Sequence, residues 1–276
     1  MGVKWQHGGV GIMILMLMVL LIVGYLASYS LYRVTTAGHE RDQTTRVLAV
    51  AAAALDQFAA ANARLPCPAD PTADTGLEAP SSAARCSFDT GTLPWMTVGM
   101  KHEDGIDGWG RKLSYRVYTG NAGSLTQPSG VSMVECDTVE PTAGNKTAVA
   151  ASLGGLCVSN ADYRLRSTTP ANFLAGKGFT LTDFGTVHND VAYVVISHGA
   201  TGLGGYTVSG AQLAMPAGGG DELGNTNSTG AFTMRAFSDP DTAATSNAHF
   251  DDLLIYRTLP DLVQRAGLSA RDWPET

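Results

Sequence analysis

The hydrophobic pattern divides the chain into an apolar first segment and a mixed remainder. Residues 10–32 consist mainly of Met, Leu, Ile and Val, and no charge lies between Lys4 and Arg33. About 20 apolar residues are enough for a helix to cross the hydrocarbon core of a bilayer. The pattern therefore predicts a transmembrane helix over 10–32, preceded by a short leader over 1–9.

Three kinds of segment carry such a run: a cleaved secretory signal, a permanent anchor, and the stem of a filament subunit. A signal peptide has a shorter apolar core, followed by a small-x-small cleavage site. Here Ala27, Ser28 and Ser30 only imitate such a site, and the run continues into another helical pattern. The anchor and the stem are therefore favoured over the signal.

A second helical pattern follows the apolar run, over 33–64. Val47, Ala51, Leu55 and Phe58 recur at a spacing that places them on one side of a helix. The chain has no Pro between residues 35 and 61, so we expect one helix of about 50 residues. Two helices broken at Gly38 are the alternative. The Leu-Pro-Cys-Pro sequence at 65–68 ends the pattern, because Pro cannot continue a helix interior.

The remaining residues, 65–276, predict a globular α+β head. Gly (32) and Pro (12) are abundant, which favours a loop-rich domain over a helical bundle. Residues 113–118, 192–197 and 250–256 read as strands, and 259–266 as a short helix. We expect the long N-terminal helix to pack on an antiparallel sheet in this head.

Charge and cysteine content narrow the function and the compartment. The formal net charge is −7 and no stripe of Lys and Arg is present, which argues against nucleic acid as a partner. Cys67, Cys86, Cys136 and Cys157 all follow the apolar run, and none forms a CxxC pair. An even number of such residues predicts two disulfides in an oxidising compartment. Three connectivities are open, and loop closure favours the two local pairs.

The charges on either side of the apolar run favour a different compartment for the head from the one that the cysteines indicate. Lys4 precedes the apolar run, whereas Arg33, Arg41 and Arg46 follow it, which alone would place the head in the cytoplasm. Large domains can translocate despite a few charges, so the cysteines outweigh this count. We therefore expect a single-pass protein of a bacterial inner membrane with its head in the periplasm, or a protein in an extracellular or periplasmic filament after assembly.

The order of motifs resembles that of a known family. An apolar stem and an amphipathic helix are followed by Leu-Pro-Cys-Pro at 65–68, Gly-Thr-Leu-Pro-Trp at 91–95, and Asp-Gly-Trp-Gly-Arg at 107–111 before a Tyr-containing strand. This order is similar to that of type IV pilin-like proteins, including type II secretion pseudopilins and minor pilins. The resemblance implies a structural subunit that assembles through its N-terminal helix into a pilus or a type II secretion filament. It also implies other subunits, an inner-membrane assembly platform and a prepilin peptidase as partners.

The leader resembles that of a prepilin, with one departure. The resemblance implies cleavage after Gly8 or Gly9, so that the mature, methylated chain begins at Gly9 or Val10. Common prepilins carry Glu five residues into the mature chain, where this sequence has Met13 or Ile14. That departure favours a minor or terminal subunit over the repeating one.

One group of oxygen-bearing side chains predicts an ion site. Asp221, Glu222, Asn225, Asp251 and Asp252 lie in or beside glycine-rich segments and offer the hard ligands that Ca²⁺ prefers. Their spacing does not match an EF-hand. The resemblance adds that the major pseudopilin binds calcium in its C-terminal loop, so Ca²⁺ is the expected cofactor, with a solvated loop as the alternative.

Catalytic motifs are weak by comparison. Ser197 and His198 follow a predicted strand, but the chain has no Gly-x-Ser-x-Gly elbow and no His-Glu-x-x-His. We therefore expect a protein that is not an enzyme. The alternative function is a permanently membrane-anchored periplasmic enzyme or binding protein.

Overall fold

A computed structural model describes residues 8–82, 85–120, 124–130, 132–134, 176–216, 220–226, 230–238, 242–243 and 246–268. One helix, α1 (Gly8–Asn62), begins the described chain and has 55 residues. It passes through Gly38 without a break, as the first of the two alternatives predicts. Gly8, Gly9 and Val10 are its first residues, and cleavage of a leader at this point stays a prediction.

The predicted location is corrected by the structure. Crossing a bilayer takes about 20 consecutive, predominantly apolar residues in a helix. Within the described part of the chain, no helical stretch combines the required length with the required apolarity. The prediction of a single-pass protein of the bacterial inner membrane, with its head in the periplasm, is therefore wrong.

The second half of α1 packs into the head along a stripe of small and apolar side chains. Leu55 is completely buried at the centre of this stripe. Val47 and Phe58, which the sequence places on the inner face, are half-buried at its flanks. The inner face is thus rotated slightly from the predicted one, and alanines let the helix backbone approach the sheet closely. The buried residues of the stripe are Thr44, Leu48, Ala51, Ala52, Leu55 and Ala59.

A six-stranded mixed sheet forms the body of the head. Its strands are β3 (Gly91–Thr92), β5 (Ser114–Val117), β6 (Phe179–Asp183), β7 (Thr186–Ser197), β9 (Ala231–Met234) and β10 (Leu253–Thr258), with β7 at the centre. The long strand β7 pairs antiparallel with β5, β6 and β10, while β3 extends the sheet from β5. The strand β9 joins at the other edge and runs parallel to β6.

Two small two-stranded pairs, two short α-helices and two 3₁₀ turns (His102–Gly105 and Pro128–Gly130) complete the described elements. The pairs are β1 (Pro80–Ser82) with β2 (Arg85–Cys86), and β4 (Arg111–Lys112) with β8 (Tyr206–Thr207). The helices are α2 (Asp221–Thr226) and α3 (Leu259–Arg265). Thr258 caps α3 by accepting a hydrogen bond from the Asp261 N–H, and Pro260 stands in its first turn, as helix starts favour.

The sheet has apolar side chains on both faces, which explains the apolar character of β7. Val195 belongs to the cluster between α1 and the sheet, together with Leu55 and Leu259. Val194 and Ile196 belong to a second cluster, on Phe232 and Phe250. Seven consecutive residues of β7, 191–197, are buried. A strand covered on both faces reads as a continuous apolar run, which is why the sequence predicts it well.

The Asp-Gly-Trp-Gly-Arg turn connects α1 to the end of β7. Asp107 is buried, and its Oδ1 accepts hydrogen bonds from the backbone N–H groups of Trp109 (3.0 Å) and Arg111 (2.9 Å). Its Oδ2 accepts from the Ser197 hydroxyl at 2.7 Å. On the helix side, Thr44 Oγ1 accepts from the Gly108 N–H at 2.9 Å. The turn therefore holds the helix and the sheet together.

The structure joins Cys67 and Cys86, which form the first of the two local pairs expected. The bond closes a loop with a sequence separation of 19 residues directly after the helix. Cys136 and Cys157 lie outside the described residues, so their pairing stays a prediction.

Candidate functional site

Polar side chains from three distant parts of the chain meet beyond the end of β7. The strand itself leads into His198, α2 supplies Glu222 and Asn225, and the residues before β10 supply His249, Asp251 and Asp252. Most of these side chains are buried, and His249 is 12% exposed. Buried polar groups need partners, so their contacts decide what this region can do.

An outer group, the Glu222–His249–Asp251 cluster, brings two carboxylates to one imidazole. His249 Nε2 lies 3.6 Å from Asp251 Oδ2 and 3.8 Å from Glu222 Oε1. The three ligand atoms lie within 4.8 Å of one another. Among the described residues this is the one such group of three or more His, Cys, Asp or Glu side chains.

Hydrogen bonds from the surroundings fix the two carboxylates of the cluster. Glu222 Oε1 accepts from the backbone N–H of Asp251 at 2.7 Å. Asp251 Oδ2 accepts from the Thr201 N–H at 2.7 Å, and its Oδ1 accepts from the Thr201 hydroxyl at 3.1 Å. Gly199 packs directly on Asp251, with a positive φ of 56° that favours glycine. The carboxylates are thus held in place before any ligand arrives.

An inner group lies deeper and contains a Ser-His-Asp arrangement. Ser114 Oγ is 2.9 Å from His198 Nε2, and His198 Nδ1 is 3.5 Å from Asp252 Oδ1. Asp252 Oδ2 accepts from the Asn225 side-chain amide at 2.8 Å. Asn225 also exchanges hydrogen bonds with the backbone of Thr233, which ties α2 to β9.

The carboxylates in this region lie close enough together to change the pKa of one of them, Glu222. The pKa of Glu222 is raised to about 7, mainly by burial and also by the negative charges of Asp252 and Asp251, against the lowering effect of the hydrogen bond from the Asp251 N–H. A cation placed between these carboxylates would relieve the same repulsion.

The five residues predicted to form one ion site are divided by the structure. Asp221 pairs with Arg235, whose Nε is 2.6 Å from Asp221 Oδ2. Asn225 and Asp252 belong to the inner group. Glu222 and Asp251 form the outer cluster with a histidine. The fold therefore brings together two of the five predicted ligands at one point.

Sequence reasoning missed His249 and Ser114 as members of these groups, and it considered His198 only together with Ser197. In the structure Ser197 donates to Asp107, and His198 lies beside Ser114 instead. A weak signal exists for His249, because a residue two positions before Asp251 in extended chain projects to the same side. No comparable signal exists for Ser114 and His198, which lie 84 residues apart and meet only through strand pairing.

Comparisons with known proteins give no relative for this chain. No family model matches it, and neither the curated proteins nor the solved structures contain a match.

Proposed function

We propose that this protein is a structural subunit of a pilin-like filament, assembling through the first half of α1. The observation that carries the proposal is the exposure of the described side chains over residues 13–29. The large apolar ones are between 46% and 71% exposed, with Leu20 at the upper limit. An exposed apolar surface of this size marks a place where another molecule binds.

The distribution of these side chains around the helix favours several neighbours. Leu, Met, Ile and Val occupy every side of the segment, and a helix that is apolar all round is one that becomes buried on all sides. Covering a single Leu, Ile or Met side chain is favourable by about 1.5–3 kcal/mol. Equivalent helices of neighbouring subunits would provide this cover, and Gly24, whose missing side chain faces open space, would allow close approach.

The second half of α1 explains how such a helix carries the head. Leu55 is buried against the sheet, and the Arg257 guanidinium of β10 lies 3.3 Å from the Asp56 carboxylate of α1. Tyr193 Oη donates to Asp56 at 3.2 Å. The helix is thus anchored in the head through its second half, while the large apolar side chains over residues 13–29 are exposed. The missing Glu near its start favours a minor or terminal subunit.

The assembly experiment compares two substitutions of exposed leucines in the full-length chain. Leu20→Arg places a charge in the apolar segment, whereas Leu77→Arg changes a leucine of the head that is 51% exposed. We expect the unmodified chain and Leu77→Arg to form concentration-dependent oligomers or filaments in sedimentation and electron microscopy. Leu20→Arg should stay monomeric with an unchanged thermal midpoint of the head. Equal assembly of both variants, or a chain that is monomeric at every concentration, would contradict the proposal.

A second candidate, a hydrolase, rests on the Ser114–His198–Asp252 arrangement. This combination of side chains is the one that activates a serine in several unrelated folds. Ser114, however, is 9% exposed and lies in β5, which is paired on both sides by β3 and β7. Ser114 is the first residue of β5, and its burial leaves no room for a substrate at the hydroxyl. We therefore assign this arrangement a structural role.

A further inference from the structure

We propose that the Glu222–His249–Asp251 cluster binds a divalent transition-metal ion of the zinc type. The proposal concerns a site within the head, and it does not depend on the filament function.

Three groups that all accept hydrogen bonds or cations face one another in this cluster. His249 Nε2 is buried and has no hydrogen-bond partner among the described residues. The two facing carboxylate oxygens, at 3.6 and 3.8 Å, lie beyond the range of a normal hydrogen bond. A buried polar atom without a partner is costly, and two adjacent carboxylates increase that cost. A shared cation would give His249 Nε2 a partner and would offset the charges of the two facing carboxylates.

The spacing suits a metal ion better than a direct contact. Zinc ligands bind at about 2.0–2.2 Å, which in a tetrahedral site places the donor atoms roughly 3.3 Å apart. The two separations from His249 Nε2, 3.6 and 3.8 Å, exceed this by a few tenths of an ångström, and the two carboxylate oxygens lie within 4.8 Å of each other. Side-chain movements would therefore close the site. Three protein ligands leave a fourth position for water, as in open zinc sites.

The surroundings of the ligands resemble the outer hydrogen-bond shell that metal sites use. His249 Nδ1 lies 3.2 Å from Ser238 Oγ, which also accepts from the Phe250 N–H. A hydrogen bond from Nδ1–H to this hydroxyl would leave the lone pair of Nε2 facing the carboxylates. Backbone N–H groups hold Glu222 and Asp251, as described above.

Arg235 carries a positive charge close to the Glu222–His249–Asp251 cluster, but it does not take the place of the proposed cation. Arg235 donates through Nη2 to the carbonyl oxygens of Ala248 and His249, both at 3.1 Å. Its Nε is directed to Asp221 instead. Two carboxylates and one imidazole therefore share a nearly buried space, and Arg235 compensates a different acid.

The ligand types select the class of metal. Imidazole suits zinc and related first-row ions, whereas Ca²⁺ and Mg²⁺ prefer oxygen ligands alone and more of them. The cluster offers one nitrogen and two carboxylates, so we expect zinc to bind more tightly than calcium.

The experiment measures binding of Zn²⁺ and Ca²⁺ to the full-length chain after treatment with EDTA. Titration calorimetry should give one zinc ion per chain, and zinc should raise the thermal midpoint because it binds the folded state. Replacement of zinc by Co²⁺ should give visible absorption bands of a nitrogen- and oxygen-ligated ion. His249→Gln should weaken zinc binding by about 100-fold, and Ser238→Ala by about tenfold, the usual effect of losing an outer hydrogen bond.

The matched control is His102→Gln, which removes a histidine that is also paired with an aspartate. His102 Nε2 lies 2.9 Å from Asp74 Oδ2, and both side chains are 38% exposed. This variant should bind zinc as the unmodified chain does. Four results would overturn the proposal: no stoichiometric zinc, equal binding by His249→Gln, an equal loss in His102→Gln, or tighter binding of calcium. Should His249→Gln fail to fold, unchanged affinity in Ser238→Ala would overturn it as well.

Discussion

Gly108 of the Asp-Gly-Trp-Gly-Arg turn packs directly against the backbone of Glu40 on α1. A Cβ atom built on Gly108 would overlap the carbonyl oxygen of Glu40. The Gly108 N–H also donates to Thr44, one turn further along the helix. The absence of a side chain at this position is therefore what allows the helix and the turn to touch.

Gly108→Ala should destabilise the head by about 2–3 kcal/mol, because backbone atoms must move apart to admit the methyl group. The control is Gly38→Ala in the same helix, where the added Cβ would meet nothing within 4 Å. That change should stabilise the protein by roughly 0.5–1 kcal/mol through helix propensity. Chemical denaturation measures the free energy of unfolding of both variants, and equal values would contradict the close contact between Gly108 and Glu40.

Leu55→Ala should cost about 2–5 kcal/mol of unfolding free energy, since the side chain is completely buried between α1 and the sheet. Val50→Ala, on the opposite side of the same helix and 47% exposed, should change stability by less than about 0.5 kcal/mol. Thermal and denaturant unfolding would test the pair. A similar loss in both variants would mean that the inner face of α1 is assigned incorrectly.

Glu78 should make stability depend on acid pH. Burial opposes ionisation of its carboxylate, but the Arg64 guanidinium at 2.6 and 2.8 Å and the Cys67 N–H at 3.0 Å outweigh that effect. The pKa of Glu78 is consequently below its ordinary value of about 4.5. A lowered folded-state pKa gives stabilisation that is complete above the ordinary value and is lost as pH falls through the folded value.

Glu78→Gln should therefore lose roughly 1–2 kcal/mol at pH 7 and show a smaller further loss between pH 5 and pH 3 than the unmodified chain. Glu103→Gln is the control, because its side chain is 72% exposed and lies 3.9 Å from Lys101. It should shift stability by less than about 0.5 kcal/mol at pH 7. Denaturant midpoints measured across this pH range would decide, and parallel curves for Glu78→Gln and the unmodified chain would count against the ion pair.

Ser114→Ala should lower stability by about 1–2 kcal/mol, because it leaves buried His198 Nε2 without its 2.9 Å partner. Ser209→Ala, which changes an exposed serine, should have little effect. Incubation of the folded chain with a fluorophosphonate probe should label neither serine. Covalent labelling of Ser114, traced by peptide mass spectrometry and absent in Ser114→Ala, would instead support the hydrolase.

The local part of the fold could be predicted from the sequence because its signals are local. Seven successive residues of β7 are buried, and a Pro-rich segment ends α1. In both places the conformation is specified by a few neighbouring residues. The predicted bounds are less accurate: β10 begins at Leu253 rather than at Phe250, and residues 250–252 lie outside the ladder. The inner face of α1 was also displaced, because alanines contribute little to a hydrophobic pattern yet pack closely.

The sequence by itself determined the long helix, its apolar first half, the buried central strand and the supply of acidic side chains near the C-terminus. Tertiary structure alone decided which of those acids share a site. Asp221 is adjacent to Glu222 but pairs with Arg235, while Glu222 reaches His249 and Asp251 across 27 and 29 residues. The physical reason is that a buried carboxylate is stabilised by whatever donor or cation the packed chain places within a few ångströms, and strand pairing and glycine turns set those distances.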